Sequence, residues 1–70
     1  MISLRADQVR FMNCEPHSYF ILAKIPRDII EFPFEMSIPV SIDGIKVEMY
    51  VSHFGRNEVD LVSKQSFRKV

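Results

Sequence analysis

The stretch SIPVSIDGIKVEMYV, Ser37–Val51, specifies a β-hairpin together with its register. Asp43-Gly44 is the two-residue turn, because a type I′ connection needs positive φ at both central residues, which glycine adopts freely and aspartate tolerates. Counting outward pairs Ile42 with Ile45, Val40 with Val47 and Ile38 with Met49 on one face. Ser41 with Lys46 and Ser37 with Tyr50 fall on the other. A slip by one residue would turn the whole apolar set into water, so the register is strongly specified.

Downstream, SHFGRNEVDLVS returns the chain as a third strand. A three-residue loop Gly55-Arg56-Asn57, with Asn57 left-handed, would pair Phe54 with Glu58, His53 with Val59 and Val51 with Leu61. That register keeps Val59 and Leu61 on the face of Val47 and Met49, giving an antiparallel meander with one apolar face. Pro39 in the first hairpin strand points to an edge or a bulge there. The tail, Lys64 to Val70, reads as a short final strand or a turn of helix.

Upstream, SYFILAKI, Ser18–Ile25, alternates as a strand that is apolar on most of both faces, which marks a central strand or one covered twice. Pro26 pre-organises the first turn of a helix and Asp28 favours its N-terminal dipole, so PRDIIE predicts a short helix from Pro26 to about Glu31, stopped by Pro33. Pro16 makes Cys14 to Ser18 a turn. The first segment, Ile2 to Asn13, fits two readings, with Leu4, Phe11 and Met12 on a helical face, or Val9, Phe11 and Asn13 alternating as a strand; a short strand or irregular lead-in is expected.

Nine basic and nine acidic residues give zero formal net charge, which argues against a protein working mainly by attraction to nucleic acid or an anionic membrane. A single cysteine, Cys14, cannot form an internal disulfide, so a reducing, cytoplasmic setting is expected. Arg5, Asp7 and Arg10 interrupt the opening segment before it could act as a signal peptide or span a bilayer. A single domain of this size buries little surface, which favours help from oligomerisation or partner binding.

Chemistry is poorly represented. Cys14 and His17 with His53 and Asp60 form a conceivable zinc set, but paired ligand motifs are lacking and no metal is expected. Cys14 with a histidine base would be an isolated nucleophile pair. Both glycines, Gly44 and Gly55, are accounted for by turns, so no phosphate loop or cofactor site is expected. Glu58 and Asp60, two apart on a strand, mark a solvent face more simply than an acid–base pair. A non-enzymatic protein follows.

ILAKIPRDIIEF, Ile21–Phe32, resembles the strand, Ile-Pro and short-helix segment of swapped-hairpin transcription factors of the AbrB type. The Phe-Pro-Phe and long apolar hairpin that follow depart from that family, so no residue or function is carried over from it.

The expected architecture is therefore α+β, mostly antiparallel β: one domain over residues 1–70, a small curved sheet of four to five strands ending in a β-meander, and one short helix across its apolar face. The expected core is Ile21, Ala23, Ile25, Ile30, Val40, Ile42, Ile45, Val47, Met49, Val51, Val59 and Leu61. The six phenylalanines, Phe11, Phe20, Phe32, Phe34, Phe54 and Phe67, with Met12, Met36 and Met49, exceed what such a sheet covers, so protein binding is the expected function: a small inhibitor or adaptor, of the size class seen in phage proteins, that binds a larger protein or complex. Candidate partner-binding residues are Tyr50, Phe54 and Arg56 around the last hairpin loop, and Phe32 and Phe34. Homodimerisation through an edge strand is a further expectation. The competing reading is a single-stranded RNA- or DNA-binding sheet using Tyr50, Phe54, Arg56, Lys64, Arg68 and Lys69, weakened by Glu48, Glu58 and Asp60 on the same face.

Overall fold

Asp43 and Gly44 take φ of +49° and +85°, the backbone that the Asp-Gly turn demands. In the computed structural model, which describes residues 2–15, 17–31, 33 and 36–68 and leaves aside the side chains of 14 and 15, this turn joins β4 (Ile38–Ile42) to β5 (Ile45–Phe54). Their pairing is Ile38 to Met49, Pro39 to Glu48, Val40 to Val47, Ser41 to Lys46 and Ile42 to Ile45, as the sequence predicts. The other strands are β1 (Ile2–Leu4), β2 (Val9–Glu15), β3 (Ser18–Pro26), β6 (Glu58–Ser63) and β7 (Phe67–Arg68).

All seven belong to one sheet, in the order β1-β4-β5-β6-β3-β2, with β7 added beside β3. The sheet is larger than the four to five strands expected because the opening segment supplies two strands and the tail one. β1 pairs parallel with β4, Ile2 opposite Val40 and Leu4 opposite Ile42. β1 and β2 are consecutive in the chain yet occupy opposite ends of the strand order. In a flat sheet those ends would lie about 24 Å apart, at roughly 4.8 Å per strand. The steps from Leu4 to Val9 reach about 17 Å at most, and Ala6–Gln8 within them is coiled as a 3₁₀ turn. The open sheet is therefore strongly curved, and its concave side holds the core.

No α-helix occurs among the described residues. The helix expected from Pro26 to Glu31 is replaced by a single 3₁₀ turn, Arg27–Ile29, after which Ile30 is extended again at φ −82°, ψ 124°. Pro26 is the last residue of β3, held opposite Glu58 in the ladder, so what reads as a helix start is a strand end. The Arg27 N–H is already committed to the Asn57 carbonyl at 2.9 Å. Too few residues remain before Pro33 for a costly helical nucleus, and the turn instead delivers Ile30 into the core.

Ile21, Ala23 and Ile25 from β3, Val40 and Ile42 from β4, Val47 and Met49 from β5, and Val59 and Leu61 from β6 line the concave side with Ile30. Of the other two expected members, only Ile45 falls elsewhere, since Val51 packs against the core from its margin. Ile45, at the hairpin tip, is 69% exposed, and Val51 is half-buried beside an irregularity of β5.

That irregularity also corrects the β5–β6 register. Phe54 pairs with Val59 and His53 with Asp60, rather than with Glu58 and Val59, while Val51 pairs with Leu61 as predicted. The turn is tighter than the three-residue loop expected: the Gly55 N–H donates to the Glu58 carbonyl at 2.8 Å, and Asn57 is not at positive φ. The inward set is restored by a bulge between Val51 and His53. Ser52, the extra residue, donates its hydroxyl to the Asp60 carbonyl at 3.2 Å.

A second interruption separates β6 from β7 along the same edge of β3, whose Leu22 pairs with Val62 and Tyr19 with Phe67. The Ser63 hydroxyl, wholly buried, accepts the Ile21 N–H there at 3.0 Å. It takes the place of the ladder carbonyl that the chain, departing toward Lys64, does not offer.

Candidate functional site

Strand alternation puts Phe20 and Leu22 of β3 on the face opposite Ile21 and Ala23. On that convex face the register runs Leu22 to Val62 to Tyr50 across three neighbouring strands, with Met12 opposite Phe20 beside it. Phe20, Leu22 and Val62 are half-buried, and Met12 and Tyr50 are 40% and 42% exposed. No second layer covers them among the described residues. The prediction that β3 is central therefore holds, whereas its outer apolar side faces away from the core.

Charged groups frame this row. Arg10 lies opposite Leu22, and Lys24 lies opposite Asp60. Glu48, two residues from Tyr50 on β5, accepts the Ser37 hydroxyl at 2.6 Å and pairs with Lys46 at 3.7 Å. The Glu48 carboxylate is thus turned to its own neighbours.

The other predicted residues gather at one end of the sheet. Phe54 packs against the core from its rim, and the Arg27 guanidinium covers its ring at 4.6 Å from the centroid. Little of that ring is offered to a partner. Arg56 is exposed on the adjoining turn, between a shallow cleft of about 530 Å³ that includes Arg27, Asp28 and Ile30 and one of about 360 Å³ that includes Lys24, His53 and Asp60. Both clefts mix charges of opposite sign. Phe32 and Phe34 lie outside the described residues, as do the side chain of Cys14 and Lys69.

Of the zinc set, His53 and Asp60 face each other across β5 and β6, while His17 is exposed on the turn between β2 and β3. No group of three or more metal-ligating side chains occurs among the described residues. No described helix is long and apolar enough to cross a membrane.

Tyr50 was among the candidate residues named from the sequence, and Phe20 and Met12 among its surplus apolar groups, whereas Leu22 and Val62 were not singled out. The signal was present: Leu61-Val62 in β6, like SYFIL in β3, places apolar side chains on both faces of a strand. The chain matches no protein-family model, no curated protein and no solved structure. Function must accordingly be argued from this geometry.

Proposed function

We propose that this chain is a non-enzymatic protein-binding module, a small inhibitor or adaptor that engages a larger protein through the convex face of its sheet. One observation carries the reading: the row Leu22, Val62 and Tyr50, flanked by Met12 and Phe20, lies on the side away from the core. Contiguous apolar surface bearing aromatic and methionine side chains is characteristic of interfaces, where rings anchor and methionine adapts. Arg56 and the exposed part of Tyr50 supply anchor chemistry. The single cysteine fits action in a reducing, cytoplasmic setting.

The test is capture from nuclease-treated lysate by wild type, Tyr50→Ala and Val62→Thr. Val62→Thr keeps the β-branched shape and changes only polarity. A stoichiometric protein retained by wild type and lost by both folded variants supports the reading; capture indifferent to both variants contradicts it.

A second reading, single-stranded nucleic-acid binding, draws on Phe20 and Tyr50 sharing this face with Arg10 and Lys24, since bases stack on such rings. Zero net charge and the carboxylates of Glu48 and Asp60 on the same face weigh against it. It predicts oligonucleotide retention that falls steeply with salt.

A further inference from the structure

β1 is a detachable strand on an edge made to receive it. Its only ladder partner is β4, in parallel, with Ile2 opposite Val40, Ser3 opposite Ser41 and Leu4 opposite Ile42. None of its three residues is wholly buried: Ile2 and Leu4 pack half-buried against the core, and Ser3 is exposed. Asp43 fastens its end, donating its N–H to the Leu4 carbonyl at 2.9 Å and accepting the Ala6 N–H on its carboxylate at 3.1 Å.

The link from β1 to β2 is different in kind. No ladder joins these two strands, so Arg5, Ala6, Asp7 and Gln8, all exposed, alone bridge the gap between the ends of the strand order. They are coiled tightly: the Gln8 N–H donates to the Arg5 carbonyl at 2.9 Å, and the Arg5 N–H donates to the Gln8 side-chain oxygen at 2.8 Å. Bonds so exposed are readily replaced by water and hold little free energy. A short linker that must turn the chain back on itself is the usual hinge for strand exchange.

We infer that β1 exchanges between copies of this chain, the β1 of each seating on the β4 of the other to give a domain-swapped dimer. The structure itself defines the occupant of the β4 edge, because β1 is seen on it. A second copy's β1 presents the same Ile2, Ser3 and Leu4 to Val40, Ser41 and Ile42, and the same Leu4 carbonyl and Ala6 N–H to Asp43. Exchange therefore conserves every interaction that holds β1 and changes only the linker beyond Ala6, where the bonds between Arg5 and Gln8 open. Leaving its own sheet requires a local opening of three residues that bury no side chain fully, not global unfolding. Each copy gives and receives one strand, so the arrangement closes as a two-fold dimer. Its population rises with protein concentration, since a chain's own β1 competes from a short tether. The inference does not rest on the binding face proposed above.

Disulfide trapping between full chains tests the exchange. Ser3→Cys and Ser41→Cys, each in a Cys14→Ser background and each checked for folding by circular dichroism, are unfolded, mixed, refolded together at low and high concentration, and oxidised. Opposed residues on neighbouring strands lie about 4.8 Å apart, within disulfide reach. The expected product is a mixed disulfide of twice 8.2 kDa, several-fold above the disulfide dimer that either variant forms alone and increasing with concentration. A mixed disulfide no more abundant than those dimers overturns the inference. The double variant Ser3→Cys/Ser41→Cys, oxidised at low concentration so that β1 is tied to its own β4, should then stay monomeric in light scattering at concentrations where wild type dimerises. Wild type that is monomeric at every concentration, or a dimer that this closure leaves unchanged, also overturns it.

Discussion

The Asp43 carboxylate accepts a hydrogen bond from the Ala6 N–H at 3.1 Å, across 37 residues of sequence. The Asp43 N–H meanwhile donates to the Leu4 carbonyl at 2.9 Å. One turn residue thus shapes the hairpin by its backbone and anchors, with both its polar groups, the connection that carries the chain from one end of the strand order to the other.

Asp43→Ala should lower the unfolding free energy by about 1–2 kcal/mol, since alanine strains at positive φ and offers no acceptor. Asp43→Gly keeps the backbone preference but also loses the acceptor for the Ala6 N–H, so it should lose less than Asp43→Ala without matching wild type. Equal losses in denaturant titrations would show that conformation at residue 43 does not matter.

Ser63→Ala removes the acceptor of the buried Ile21 N–H. The unsatisfied donor should cost about 1–3 kcal/mol. Hydrogen exchange at Ile21 should accelerate with it, and unaltered protection there would refute the role given to this hydroxyl.

Gly55→Ala should be worse tolerated than its exposed turn suggests. A Cβ at that position would lie 2.7 Å from the Glu58 carbonyl oxygen, so the backbone of the turn must shift, at about 1–3 kcal/mol. Around Gly44 a Cβ meets nothing within 4 Å, and its φ of +85° alone resists substitution. Calorimetric melting of the two alanine variants checks the comparison.

Phe54→Ala should destabilise by about 2 kcal/mol, because its ring packs on the core rim. Arg56→Ala, on the exposed turn, should stay within about 0.5 kcal/mol. A stable Phe54→Ala protein that loses its partner would return Phe54 to the binding surface.

What was legible in the chain follows locality. Asp43-Gly44 dictates its hairpin because turn chemistry and alternation act within a few residues of one another. The strand from Glu58 was placed correctly at Leu61 by the wrong route, since a tight turn plus a bulge at Ser52 produces the same inward set as a longer loop without one. Alternation alone does not distinguish them. The parallel pairing of Ile2–Leu4 with Val40–Ile42 is a contact between distant segments that no local signal encodes. Pro26-Arg27-Asp28 carries the chemistry of a helix start, overridden by the pairing of Pro26 with Glu58 and the bond from Arg27 to Asn57. At the candidate site, Tyr50 was visible as an aromatic on a polar hairpin face, whereas Met12, Phe20, Leu22 and Val62 become a row only once β2, β3 and β6 are neighbours.

The central claim is that the convex row binds protein, and its most direct test is quantitative capture from nuclease-treated lysate with wild type beside Val62→Thr. The account predicts a stoichiometric protein partner held by wild type and lost by the variant, whose circular dichroism and melting remain close to wild type. Equal capture by the two proteins, or a partner that vanishes with nuclease, would contradict it.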